Sequence, residues 1–157
     1  MKITLLSIGK TNNNYLKEGI TEYLNRLKHY THFEITEIPA LKKASSLTPE
    51  IIKQKEADLI FKYIKTNDFV VLLDENGKQM SSKDFSVFLQ KKMNSSVKET
   101  VFVVGGAWGF GQRLLERANY KLSLSKMTFS HQMVRLFFIE QLYRAFTILR
   151  GEAYHNE

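Results

Sequence analysis

Four glycines fall within seven residues in Val103-Val104-Gly105-Gly106-Ala107-Trp108-Gly109-Phe110-Gly111, directly behind an apolar run. Glycines let backbone amides approach a ligand closely and turn sharply, which suits a nucleotide-like cofactor. The segment is not a Walker loop, because no Lys-Ser/Thr pair follows it. Nor is it a dinucleotide fingerprint: the spacing differs, and Lys126 rather than an acid lies ~20 residues on. By itself the segment leaves a purely structural turn open as the alternative.

A second constellation is the hydroxyl-rich stretch from Leu122 to His131. Alone it describes a well-capped helix start; beside the glycine loop, its hydroxyls and amides would hold an adenine or a ribose. Ser125 and Ser130 do not read as hydrolytic nucleophiles, since neither lies in a Gly-x-Ser-x-Gly elbow and no acid is placed to complete a triad. The helix that follows is apolar around nearly its whole circumference, interrupted by His131 with Arg135 and by Glu140 with Arg144, both at i,i+4. Burial on every side in so small a protein implies that a second copy covers part of it, hence a homodimer. In such a helix the polar pairs point to a functional or interface role. Tyr154-His155, near the end of the chain, reads by default as a disordered terminus. His29 and His32, without a carboxylate companion, do not make a metal site.

The elements that must position these groups follow from periodicity. Apolar, β-branched runs predict strands at Lys2 to Ile8, Phe33 to Ile38, Phe69 to Leu73, Val101 to Val104 and, shorter, Leu122 to Leu124. Helical spacing predicts helices after the Asn12–Asn14 caps to about Lys28, from Thr48-Pro49-Glu50 to about Lys65, from Ser81 to about Met93, from Gln112 to Ala118 and from Gln132 to Leu149. Ser81 with Asp84 suggests a capping box, Asn76-Gly77 suggests a turn of the chain, and Ala40 to Leu47 suggests a mobile loop. Alternation of strands and helices predicts an α/β fold with a mainly parallel sheet and helices on both faces, as one domain over residues 1–157. Ligands bind such sheets beyond the carboxyl ends of the strands, which directs attention to the loops after Leu73, Val104 and Leu124.

Composition narrows the function classes. The 157 residues contain no cysteine, which excludes disulfides, cysteine nucleophiles and cysteine-ligated metals and favours the cytoplasm. The apolar stretch Ile3 to Ile8 is far shorter than the ~20 residues a membrane span needs. Lysine and arginine total 23 against 16 acids, a net charge of +7 that favours a polyanionic partner; dispersed as it is along the chain, it also fits a lysine-rich solvated surface.

Taken together, Val-Gly-Gly-x-x-Gly, Ser-Leu-Ser-Lys-Met-Thr-Phe-x-His, Arg-x-x-x-x-Glu-Gln-x-Tyr-Arg-Ala and the closing Gly-x-x-Tyr-His strongly resemble the ribosomal RNA large subunit methyltransferase H family, a minimal branch of the SPOUT methyltransferases. The resemblance runs from the opening Met-Lys-Ile-Thr-Leu-Leu-Ser-Ile-Gly-Lys to the tail. It implies a homodimer with a SPOUT-type C-terminal trefoil knot, a topology that general rules on chain connections would reject. It also implies transfer of a methyl group from S-adenosylmethionine to N3 of a pseudouridine in the helix 69 loop of 23S ribosomal RNA, within the assembled ribosome, with no metal and no membrane.

Carried over position by position, the resemblance implies a cofactor pocket of Leu73, Gly105, Gly106, Leu124, Ser125, Lys126, Met127, Thr128 and Phe129, with the glycines leaving room for the methionine arm. It implies catalytic roles for His155, Tyr154 and Arg144: the tail completes the partner's site, His155 takes the N3 proton or stabilises the imide anion, and Arg144 orients base or phosphate. Asn156 departs from the pattern, since a basic residue commonly follows that histidine; Arg135, Arg144 and Lys126 are the substitutes at hand. Two other classes compete. A SPOUT methyltransferase acting on transfer RNA usually carries an additional RNA-binding domain, for which the sequence has no space. A non-catalytic RNA-binding domain would have no use for the full Gly-Gly and Ser-Lys-Met-Thr set.

Overall fold

The computed structural model describes residues 1–156, so Glu157 of the tail lies outside it. Five strands form one sheet: β1 (Lys2–Ile8), β2 (Phe33–Ile38), β3 (Phe69–Gln79), β4 (Glu99–Val104) and β5 (Tyr120–Ser123), in the order β2-β1-β4-β3-β5. Every pairing is parallel. The helices are α1 (Asn14–Leu27), α2 (Pro49–Phe61), α3 (Ser82–Met93), α4 (Gln112–Arg117) and α5 (Met133–Leu149).

Side chains of a strand alternate between faces, and both faces of this sheet are apolar, so each must be covered. Ile3, Leu5, Val71, Leu73, Phe102 and Val104 pack on one side against α1, α3 and α5, through Leu27, Phe85, Leu89, Phe138 and Leu142. Leu6, Ile8, Val70, Leu72, Val101 and Val103 pack on the other against α2 and α4, through Ala57, Ile60 and Leu114. The expected α/β architecture, with a parallel sheet and helices on both faces, is therefore what forms.

Local chemistry sets most of the boundaries. Thr48 caps α2, accepting from the Ile51 amide, with Pro49 at the first helical position. Ser81 and Asp84 form the reciprocal capping box of α3. Asn13 occupies the cap position of α1, yet its side chain makes no capping bond. α2 stops at Phe61, short of Lys65, and Ala40 to Leu47 contains a 3₁₀ turn at Ala44–Ser46. Asn76-Gly77 does not reverse the chain. Asp74 accepts from the Asn76 amide to make a local kink, after which β3 resumes its course along β5, Lys78 pairing with Leu122 and Gln79 with Ser123. A Cβ at Gly77 would lie 2.6 Å from the Lys121 carbonyl oxygen, so the close approach of the two backbones is what demands the glycine.

α5 is joined to the opposite end of the sequence by a buried cation. Arg135 is 1% exposed. Its guanidinium donates to the carbonyls of Ile8 (2.9 Å) and Gly9 (2.9 Å), to Thr11 Oγ1 (3.1 Å) and to Glu37 Oε2 (3.5 Å). Gln132 adds a reciprocal pair, accepting from the Asn12 amide and donating to the Lys10 carbonyl, both at 3.0 Å. Arg135 is thus occupied in holding the end of β1, and it cannot stand in for a basic residue after His155. Among the described residues no helix is long and apolar enough to cross a membrane.

Replacing Arg135 with methionine keeps an apolar stem but leaves two buried carbonyls without donors, each costing about 1–3 kcal/mol. Urea denaturation of Arg135→Met is expected to show a loss of about 3 kcal/mol with little change in slope; a loss under 1 kcal/mol would contradict this assignment.

Candidate active site

Beyond the carboxyl end of β4, and beside the kink at which β3 parts from it, lies a cleft of about 740 Å³, within the range of small-molecule sites. One wall is the glycine loop from Gly105 to Phe110; the facing wall is the segment from Leu124 to His131, and Leu73 forms the floor with Val104. Leu73, Gly105, Gly106, Leu124, Ser125, Met127, Thr128 and Phe129 all line it. Lys126, the remaining pocket residue implied by the sequence, is exposed and is not among the residues that line the cleft.

Both loops are internally braced. Gly106 and Gly109 bridge, the Gly109 amide donating to the Gly106 carbonyl at 3.1 Å, and Gly109 adopts φ +78°. In the facing segment Ser123 Oγ donates to the Ser125 carbonyl (2.8 Å), Ser125 Oγ accepts from the Met127 amide (3.0 Å), and Thr128 donates to Glu75. Leucines, Met127 and Phe129 suit the faces of an adenine, whereas Asp74 and Glu75 bring carboxylates to the rim, suited to hydroxyl or ammonium donors.

Gly106 also answers to a constraint that the sequence does not show. A Cβ there would lie 2.6 Å from both carboxyl oxygens of Glu56, behind the loop and away from the cleft. At Gly105 a Cβ would press on the Phe110 ring at 3.2 Å. Gly106 is thus constrained by Glu56 behind the loop and Gly105 by the loop's own Phe110, while both glycines line the cleft. Sequence alone gave no sign of Glu56, which looks like any acid within a helix.

His131 illustrates how the surroundings tune a group. Burial, and secondarily the neighbouring Arg135 cation, lower its pKa below the ordinary 6.5. It therefore stays neutral at pH 7. Among the described residues no group of three or more His, Asp or Glu side chains is placed to hold a metal ion.

The three tail and helix residues implied as catalytic come together, but elsewhere. Tyr154 stacks on Tyr143 (4.8 Å between centroids, 16° between planes). Its hydroxyl lies 3.0 Å from Glu140 Oε1 and 3.1 Å from the Tyr23 hydroxyl. Burial and these bonds raise its pKa well above the usual tyrosine value. Arg144 pairs with Glu140, lies over the Tyr154 ring at 4.7 Å and contacts His155 Nδ1 at 3.3 Å. The tail is thus ordered against its own α1 and α5, and none of the three residues lines the cleft of its own chain.

Comparison with known proteins fits this geometry. The family described as "Predicted SPOUT methyltransferase" matches residues 1–155. A Christiangramia forsetii protein named ribosomal RNA large subunit methyltransferase H is 55% identical over 156 residues, covering 99% of each chain. A Parabacteroides distasonis protein of the same name is 53% identical over the full length of both chains. A solved structure described as a probable methylase family protein from Haemophilus influenzae has a TM-score of 0.53 at 10% identity, covering 95% of this chain and 66% of that one, and so shares the fold. The chain belongs to the SPOUT methyltransferase family, in its ribosomal RNA large subunit methyltransferase H branch, and is an S-adenosylmethionine-dependent methyltransferase.

The lowered pKa of His131 has a thermodynamic consequence. The unfolded chain binds its proton near pH 6.5 and the folded one only at lower pH, so this contribution to stability is present above pH 6.5 and is lost as the pH falls through the folded value. Denaturation of the wild type at pH 7 and pH 5 should show that loss, and His131→Gln should show less of it; equal slopes in the two proteins would place the histidine in an ordinary solvated setting.

Proposed function

We propose that the chain methylates N3 of a pseudouridine in the helix 69 loop of 23S ribosomal RNA on the assembled ribosome, acting as a cytoplasmic homodimer of one catalytic domain each, with its C-terminal segment threaded as a trefoil knot. The observation that carries this reading is identity above one half with relatives bearing the ribosomal RNA large subunit methyltransferase H name, over 99% or more of the chain. The net charge of +7 agrees with a partner whose phosphates release counterions on binding.

The cleft suits the methyl donor. Its volume accommodates a nucleoside with an amino-acid arm, its apolar walls fit the adenine, and the rim carboxylates Asp74 and Glu75 match a ligand with a sulfonium and an ammonium. Leu73, Leu124, Met127 and Phe129 would hold the base, and the backbone of Gly105 and Gly106 would border the arm. When bound, S-adenosylmethionine supplies a methyl group already activated by its sulfonium, so the protein has no call for a covalent nucleophile.

What remains for the chain is to orient the pyrimidine and favour its imide anion. Arg144 donates towards His155 Nδ1, which fixes the neutral imidazole with its proton on Nε2. That tautomer suits donation to the developing anion better than removal of the N3 proton, which would leave to water. Glu140 in turn orients Arg144 and receives the Tyr154 hydroxyl. Because Arg144, Tyr154 and His155 do not line the cleft of their own chain, the arrangement favours a site in which one subunit's tail meets the partner's cofactor cleft.

The surface next to the cleft supports pairing of subunits. Phe137 is 39% exposed and Phe129 36%, their rings 4.9 Å apart, beside a groove of about 270 Å³ that also reaches Glu140. Apolar groups so placed beside a polar cluster are typical of an interface.

Mass spectrometry of the helix 69 fragment from cells lacking the protein tests the substrate: the N3 methyl group should be missing and should return with the gene. Sedimentation at micromolar concentration should give a dimer; a stable monomer of about 18 kDa would remove the composite site. His155→Ala should lower transfer to ribosomes by about 100-fold, the scale of losing a positioned acid–base group, with S-adenosylmethionine affinity kept. Transfer at the normal rate would remove the role given to His155.

A further inference from the structure

We propose that Glu56 is a positioning residue for methyl transfer: its side chain, seated beneath Gly106, holds the glycine loop in the shape that receives the methyl donor. This rests on the cofactor reading of the cleft. Glu56 lies in α2, is 9% exposed, and its Oε1 is buried with no hydrogen-bond partner among the described residues. A buried polar atom in that condition needs a reason, because leaving it unpaired costs about 1–3 kcal/mol. Burial raises its pKa above the ordinary carboxylate value.

The rest of α2 shows that the contact is part of a support. Lys53, three residues earlier and so on the same helix face, lies beneath Gly111, where a Cβ would meet the Lys53 backbone and Cβ at 3.5 Å. Glu56 and Lys53 therefore underlie the two ends of the loop. Beyond it, Arg113 of α4 donates to Asp58 at 2.6 Å and lies over the Phe61 ring at 4.8 Å, which ties the far side of the loop to the same helix. The glycine loop is held between β4 and α2, and the carboxyl group of Glu56 lies against it at Gly106.

The chain's single tryptophan, Trp108, stands two residues beyond Gly106 and is 56% exposed, so its fluorescence reports the loop directly. In ligand-free protein, Glu56→Ala should lower Trp108 anisotropy, and Glu56→Gln, nearly the same in size and shape, should hold it near the wild-type value. Calorimetric titration with S-adenosylmethionine should show affinity about tenfold weaker in Glu56→Ala and within twofold of wild type in Glu56→Gln. Gly106→Ala should also weaken binding, and the double variant Glu56→Ala/Gly106→Ala should bind more tightly than Gly106→Ala alone, because the carboxyl group that the new methyl would strike is gone. Wild-type anisotropy and affinity in Glu56→Ala, or a double variant whose losses simply add, would overturn the proposal while leaving the cofactor cleft in place. Failure of the unmodified protein to bind S-adenosylmethionine would overturn both.

Discussion

The fold depends on a guanidinium taken out of water. Arg135 reaches from the first turn of α5 to the carbonyls at the end of β1, to Thr11 in the loop that follows and to Glu37 of β2. Carbonyls at the end of a parallel strand face the same region in which ligands bind, and they need donors once they are covered. A side chain with five N–H groups in a fixed fork can satisfy several of them at once, which a lysine cannot do. The charge is costly to bury, and Glu37, still partly hydrated, offsets some of that cost.

With α5 seated, the catalytic end of the sheet acquires its walls. The segment between β5 and α5 has no regular structure of its own, but it is fixed at one end by Ser123 and Ser125 and at the other by Gln132 and Arg135. Opposite it, the glycine loop leaves β4 and is supported by α2. A rigid scaffold thereby presents two short irregular segments across a gap, which is how many α/β proteins combine a stable core with a shaped site.

Much of this was legible beforehand. Continuous apolar runs such as Phe69 to Leu73 announce strands covered on both faces, and Thr48-Pro49 and Ser81-Asp84 announce helix starts, because these signals act over a few residues. Motifs and spacing also brought the two loops of the cleft to notice. What escaped was tertiary. Asn76-Gly77 looks like a chain reversal, yet pairing with β5 carries the strand onward. Arg135 looks like a surface or functional cation, and only the position of β1 shows where its donors go. Gly106 looks like a concession to a ligand, although the group it must avoid is Glu56, fifty residues away in sequence. The docking of Tyr154 on Tyr143 depends on the path of the chain after Gly151, which no local pattern encodes.

α5 also acts as a ruler. Arg135 anchors one part of it to the strand ends, and nine residues later Arg144 meets the tail. At 1.5 Å and 100° per residue, those two positions are about 14 Å apart with a defined angle between them. Inserting or deleting one residue between them would swing the tail about a quarter turn around the helix while the cleft stayed where it was. The number of residues between the two arginines is therefore a dimension of the structure in its own right, separate from the identity of any one side chain along α5.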